Sequence, residues 1–128
     1  MIYLDSSVVL AHFLVEAQRL PDSAWDQPLT SSRLLEYEVW TRLHAKGLTR
    51  SLRPAVLGFF TRVIFVDLAE NVLARARDPF PVHVRTLDGL HLATIEFLRA
   101  NGGLIELATF DARMISVARS LGIAIYQA

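Results

Sequence analysis

Short apolar runs alternate along this chain with longer stretches of helical spacing, and that alternation most narrows the folds open to it. "IYLD" (Ile2–Asp5), "LTS" (Leu29–Ser31), "VIFVDL" (Val63–Leu68), "IELATF" (Ile105–Phe110) and "IAIYQ" (Ile123–Gln127) each read as a strand. "IYLD" reads as a buried parallel strand and "VIFVDL" as a buried one. Between them lie Ser6–Leu14, a strongly marked helix with Ser32 as its N-cap and Gly47 just past its end, "RPAVLGFFTR" with Pro54 in its first turn, "AENVLARARD" stopped by Pro79 and Pro81, "TLDGLHLATIEF", and "DARMISVARSLG" closing on Gly122. "PDSAWDQP" reads as a loop with room for a short helix. Capping residues at the starts and glycines at the ends support these boundaries. Alternating strands and helices predict an α/β fold, a mostly parallel central sheet covered on both faces. At 128 residues the chain is expected to form one domain, residues 1–128, with a core that needs no staples.

Composition removes several function classes. There is no cysteine, so a disulfide scaffold, a zinc–thiolate site and a thiol nucleophile are excluded. The amino terminus lacks a basic region, and Asp5 and His12 interrupt its apolar run, so neither a signal peptide nor a membrane span is expected. A cytoplasmic location follows as the expectation. Net charge is zero, so no overall basic field announces nucleic acid.

The acids are more informative. Open α/β sheets place ligands at the carboxyl ends of their strands. Asp5 ends the first strand, Asp111 follows the "ELATF" run, Asp88 lies in the first turn of its helix, and Glu38 lies in the second turn of the helix after "LTS". All four are therefore expected at one edge of the sheet. Each also has an ordinary structural role open to it. Asp5 and Asp111 suit helix N-caps, Asp88 suits the positive end of a helix dipole, and Glu38 is spaced to pair with Arg42. Four converging carboxylates repel one another unless a cation lies among them. Oxygen ligands suit a hard ion, Mg²⁺ or Mn²⁺, that keeps several waters.

In the helix "TLDGLHLATIEF", Leu87, Leu90, Thr94, Phe97 and Leu98 recur at helical spacing and are expected to face the core. Ser7 and Thr109 are candidates to orient neighbouring carboxylates or to cap local backbone. His91, one turn after Asp88, reads as a structural core histidine and not a ligand. Arg113 is a candidate phosphate contact or an exposed helix arginine.

The stretches "IYLDSSVVLAHFL", "TSSRLLEYEVWTRL", "LRPAVLGFFTRVIFVDL", "RTLDGLHLATIEFL" and "ATFDARMISVARSLGI" together resemble the PIN-domain family, in particular the compact VapC-type toxins of bacterial toxin–antitoxin pairs. "LDGLHLA" is similar to the family's Leu-Asp-Ala-x-His-Leu-Ala signature, with Gly89 where Ala is usual. The resemblance implies a three-layer α/β/α domain and a Mg²⁺- or Mn²⁺-dependent RNA endonuclease. Its acidic site carries over onto Asp5, Glu38, Asp88 and Asp111, with Glu36 the alternative to Glu38. It further implies a homodimer and a helical antitoxin tail lying in a groove of the early helices, where Trp40, Phe59 and Phe60 supply aromatic surface, and sending an Arg toward the acids.

Two other acidic Mg²⁺ folds fit poorly. A receiver domain needs a Lys at its last strand, and the only Lys is Lys46 in an early helix. A dehalogenase-like phosphatase needs Asp-x-Asp at the first strand, where this chain has Asp5-Ser6-Ser7. The remaining alternatives are a catalytically silent PIN scaffold that binds RNA or protein, and a PIN nuclease of housekeeping RNA maturation.

Overall fold

The computed structural model describes residues 1–127; Ala128, the last residue of the expected domain span, lies outside the described residues. Five strands form one all-parallel sheet in the order β3-β2-β1-β4-β5, with β1 Ile2–Leu4, β2 Leu29–Ser32, β3 Val63–Val66, β4 Glu106–Ala108 and β5 Ala124–Ile125. The helices are α1 Ser6–Phe13, α2 Leu34–Ala45, α3 Thr49–Phe60, α4 Glu70–Arg77, α5 Thr86–Ala100 and α6 Ala112–Ser120, with a 3-10 turn at Asp22–Asp26. This is the three-layer architecture that the alternation predicts.

The strand period of two divides the core. Ile2 and Leu4 point into a cluster with Val8, Leu35, Val39, Phe59 and Phe60, from α1, α2 and α3. Tyr3 between them points the other way, into a cluster with Leu92, Ile95, Leu107, Met114 and Val117, from α5, α6 and β4. β1 is fully buried because both of its faces are covered.

Several local expectations are corrected. The "VIFVDL" run is only partly buried: Val63 joins the core, but β3 is an edge strand, Ile64 is 59% exposed, and pairing stops at Val66. An apolar run marks a strand but not its place in the sheet. α3 begins at Thr49, before Pro54, so the proline sits in the second turn rather than the first. The Leu52 amide bonds back to the Leu48 carbonyl and Ser51 Oγ donates to the same oxygen, which starts the helix early. Ser32 ends β2 and stands one residue before the Arg33 that borders α2, yet its Oγ accepts the Leu34 amide proton at 3.1 Å, the bond expected of an N-cap.

The buried face of α5 also differs from the one expected. His91, Leu92, Ala93, Thr94 and Ile95 are buried, whereas Leu87 is 40% exposed and Leu90, Phe97 and Leu98 are only partly covered. Thr94 alone of the expected set is fully buried. α5 touches α2 and α4 as well as the sheet, so its buried arc is wider and rotated. Phe59 and Phe60 are core residues, packed edge-on against Phe13, Trp25 and Phe65, so they supply no open aromatic groove; Trp40 is partly buried against Phe60.

Two substitutions on α5 follow. Leu92→Ala is expected to cost about 2–5 kcal/mol in urea unfolding, because it opens a void in the second core cluster. Leu87→Ala is expected to cost under about 1 kcal/mol, because that side chain is largely in solvent. Gly89 sits inside the helix, and a Cβ there meets Phe80 and Val84 at an ordinary 3.5 Å. Gly89→Ala is therefore expected to raise stability by about 0.5–1 kcal/mol in the same measurement.

Candidate active site

In a parallel sheet every strand ends on the same side, and β2, β1 and β4 are neighbours. The chain leaves β1 toward β2 on one side and later returns to β4 on the other, so a switch point lies between β1 and β4. A cleft of about 330 Å³ opens there, lined by Asp5, Ser6, Ser7, Glu38, Arg85, Thr86, Leu87, Asp88 and Asp111. The four acids picked out in the sequence thus share one cleft.

Asp5 lies at its base, 6% exposed. It occupies the N-cap position of α1 in extended conformation, yet its side chain makes no capping bond. Instead Oδ2 accepts the hydroxyl protons of Ser7 and Thr109, each at 2.7 Å. Ser7 Oγ also accepts the Phe110 amide proton at 3.0 Å, and Thr109 Oγ1 accepts that of Asp111 at 3.1 Å. Both hydroxyls therefore do the two jobs considered for them: they hold the carboxylate and they tie the β4–α6 turn. Among the described residues Asp5 has no basic partner, and its Oδ1 receives no hydrogen bond.

Asp111 does act as a cap, accepting the Arg113 and Met114 amide protons on Oδ1. Its Oδ2 is left for Arg85, whose guanidinium lies 2.6 Å away and also reaches Asp88 Oδ2 at 3.0 Å. Hydrogen bonding to Asp88, together with the charges of Asp88 and Asp111, raises the Arg85 pKa above the ordinary arginine value. Arg85 is the cation that the sequence argument lacked. It stands three residues before Asp88, the spacing of a side-chain pair, and that was the signal available for it. Arg113 is exposed and is not among the residues lining the cleft.

Glu38 makes no pair with Arg42 among the described residues. Its Oε1 lies 2.5 Å from His91 Nε2, and Ser6 Oγ donates to its Oε2 at 3.5 Å. Glu36 turns away and pairs with Arg33 at 2.8 Å, so Glu38 and not Glu36 lines the cleft. His91 is fully buried, as a core histidine should be. Its contact with Glu38 was not read from the sequence, because the two lie 53 residues apart.

The resemblance to PIN domains implies a divalent ion near these acids. Among the described residues no three His, Cys, Asp or Glu side chains stand close enough to form a ready-made cage. Mg²⁺ does not require one: it keeps most of its waters and is held through one or two carboxylates. A buried carboxylate with no countercharge and one oxygen without a donor, in a cleft shared with three more acids, is chemistry that fits such an ion.

A sequence profile of the PIN domain matches residues 2–120. The chain belongs to the PIN-domain family. This PIN domain is 34% identical to Ribonuclease VapC46 of Mycobacterium tuberculosis over 131 aligned positions, spanning 97% of this chain and 95% of that protein. Its fold is also that of a chain in a toxin–antitoxin complex from Klebsiella pneumoniae, with a TM-score of 0.64 over 91% of each chain at 16% identity. Among the described residues no helix of this PIN domain is long and apolar enough to cross a membrane.

The Arg85 bridge is solvent-facing, with the arginine side chain 58% exposed. Arg85→Gln is therefore expected to lower the melting temperature of the metal-free protein at low ionic strength. The difference should shrink toward zero as NaCl rises to about 1 M, because salt screens exposed pairs. A salt-independent loss would assign Arg85 a packing role instead.

Proposed function

We propose that this PIN domain is a Mg²⁺- or Mn²⁺-dependent endoribonuclease that acts as the toxin of a toxin–antitoxin pair. The observation that carries the reading is the buried, uncompensated Asp5 carboxylate in a cleft shared with Glu38, Asp88 and Asp111. The family and the similarity to a named ribonuclease support it.

Asp5 and Asp88 are the principal metal ligands in this reading, with Asp111 completing the pocket through water because its carboxylate also caps α6. A divalent cation held there lowers the pKa of a bound water and offsets the negative charge that grows on the phosphate. Ser7 and Thr109 keep Asp5 in one orientation. Glu38 has one oxygen tied to His91, and its other oxygen orients the attacking water and draws its proton. Hydrolysis joins the water oxygen to phosphorus and breaks one P–O ester bond; the departing oxygen takes up a proton. Arg113, at the exposed start of α6, remains a candidate contact for an RNA phosphate.

The antitoxin is a small protein with a helical segment, and we place its apolar side beside the cleft. Leu10, Tyr37, Thr41 and Leu87 line a groove that shares Ser6, Ser7 and Glu38 with the acid cleft. Tyr37 is 64% exposed there. An antitoxin arginine reaching from this groove would meet the acids. We further propose a homodimer as the working assembly.

Purified protein incubated with structured RNA and Mg²⁺ is expected to cut it. EDTA, Asp5→Asn and Asp88→Asn should each reduce the rate at least about 100-fold, since even the outer partners of ligands cost 10–100-fold when lost. RNA binding without cutting would favour a silent scaffold. Growth arrest on expression, relieved by the neighbouring small open reading frame, separates a toxin from a housekeeping nuclease.

A further inference from the structure

A buried chain of polar groups leads from the middle of the sheet to the acid cleft. The Ser32 amide, at the end of β2, donates to the Tyr3 phenol oxygen at 3.2 Å. That oxygen lies 2.7 Å from His91 Nδ1, and His91 Nε2 lies 2.5 Å from Glu38 Oε1. Tyr3 and His91 are both fully buried, their rings edge-to-face at 5.7 Å, and the Glu38 side chain is 15% exposed.

Proton bookkeeping gives the chain a direction. A backbone N–H can only donate, so the phenol oxygen accepts from Ser32. Burial pushes the Tyr3 pKa far up, so the phenol keeps its own proton, which it gives to His91 Nδ1. With Nδ1 accepting, a neutral imidazole carries its hydrogen on Nε2 and donates it to Glu38. No fully buried side-chain nitrogen or oxygen is left without a partner among the described residues.

We propose that Tyr3 and His91 are positioning residues for the hydrolysis, fixing one oxygen of Glu38 so that the other faces the attacking water. The proposal rests on the nuclease reading above. An apolar residue could fill the volume at position 91 but would leave the Tyr3 hydroxyl and Glu38 Oε1 without this partner. What histidine adds is a donor of fixed direction at the end of a rigid ring. Glu38 by itself has a long, freely rotating side chain whose ordering must be met from elsewhere. Helix α5 carries both Asp88 and, one turn on, His91. The same helix therefore presents one acid directly and holds the facing acid through the imidazole. The spacing of Asp88 and His91 sets how the two carboxylates meet across the cleft.

The test is a double-mutant cycle on RNA cleavage with a spectroscopic companion. His91→Leu is expected to lower kcat at least about 10-fold, the scale seen when an orienting partner is lost, with KM for RNA within about twofold. His91→Gln, which restores an N–H donor near the Nε2 position, should recover most of that loss. In a Glu38→Ala background, His91→Leu should change the rate less than about twofold. Tyr3→Phe keeps the ring in the core and gives the same cycle if His91→Leu does not fold. In the metal-free protein, the imidazole ¹⁵N spectrum should show His91 protonated on Nε2, and Tyr3→Phe should mix the two tautomers.

A folded His91→Leu variant with wild-type kcat would overturn the proposal, as would a loss that persists in full without Glu38. An Nδ1-protonated His91 would also overturn it. Wild-type protein that cuts no RNA under any metal condition would instead remove the nuclease reading beneath it.

Discussion

Asp5 is an acid buried at the end of the central strand, and the arrangement of its surroundings follows from supplying it with hydrogen bonds there. A buried carboxylate without hydrogen bonds or countercharge is costly. Two hydroxyls, Ser7 from α1 and Thr109 from the end of β4, donate to the same oxygen. Each hydroxyl is in turn held by a backbone amide of the β4–α6 turn. The bonds that orient Asp5 thus also fix the loop that carries Asp111. One side chain couples the geometry of two strands, and both donors fall on the same carboxylate oxygen.

Opposite Asp5, helix α5 controls the remaining charge. Asp88 is paired with Arg85 in the turn before it, and Arg85 reaches across to Asp111. His91 reaches Glu38 on α2 from the next turn. The repulsion expected among four acids is therefore met by three separate devices: hydroxyl donors, one guanidinium and one imidazole. Arg85 is exposed to solvent, whereas the Tyr3–His91 pair is fully buried. The difference in burial separates the part of the site that can reorganise from the part that holds its shape.

Much of this could be read from the chain, and the failures have physical causes. Asp5, Asp88 and Asp111 follow strand ends or open helices, so topology alone brings them to one edge. Glu38 over Glu36 rests on its place after Ser32 and before "VWTRL", and in the fold Glu36 turns to Arg33 while Glu38 lines the cleft. The Arg85–Asp88 pair has a local spacing, three residues, but the reach of Arg85 to Asp111 and the contact of His91 with Glu38 span 26 and 53 residues, and no local period encodes such contacts. The buried face of α5 was misplaced because apolar spacing assumes one packing partner, and this helix has several. The "VIFVDL" run predicts a buried strand, yet an apolar strand at an edge and one at the centre share a composition, and β3 lies at the edge.

By itself the sequence determined the alternation of strands and helices, the parallel sheet that alternation requires, and the identity of the acids, since these depend on short-range spacing and residue chemistry. Tertiary structure alone decided the strand order that puts β1 between β2 and β4, the pairing of Arg85 with two acids, and the buried path from Ser32 through Tyr3 and His91 to Glu38. Those are contacts between segments far apart in the chain. Their formation depends on how the layers stack, and no local pattern of side chains carries that information.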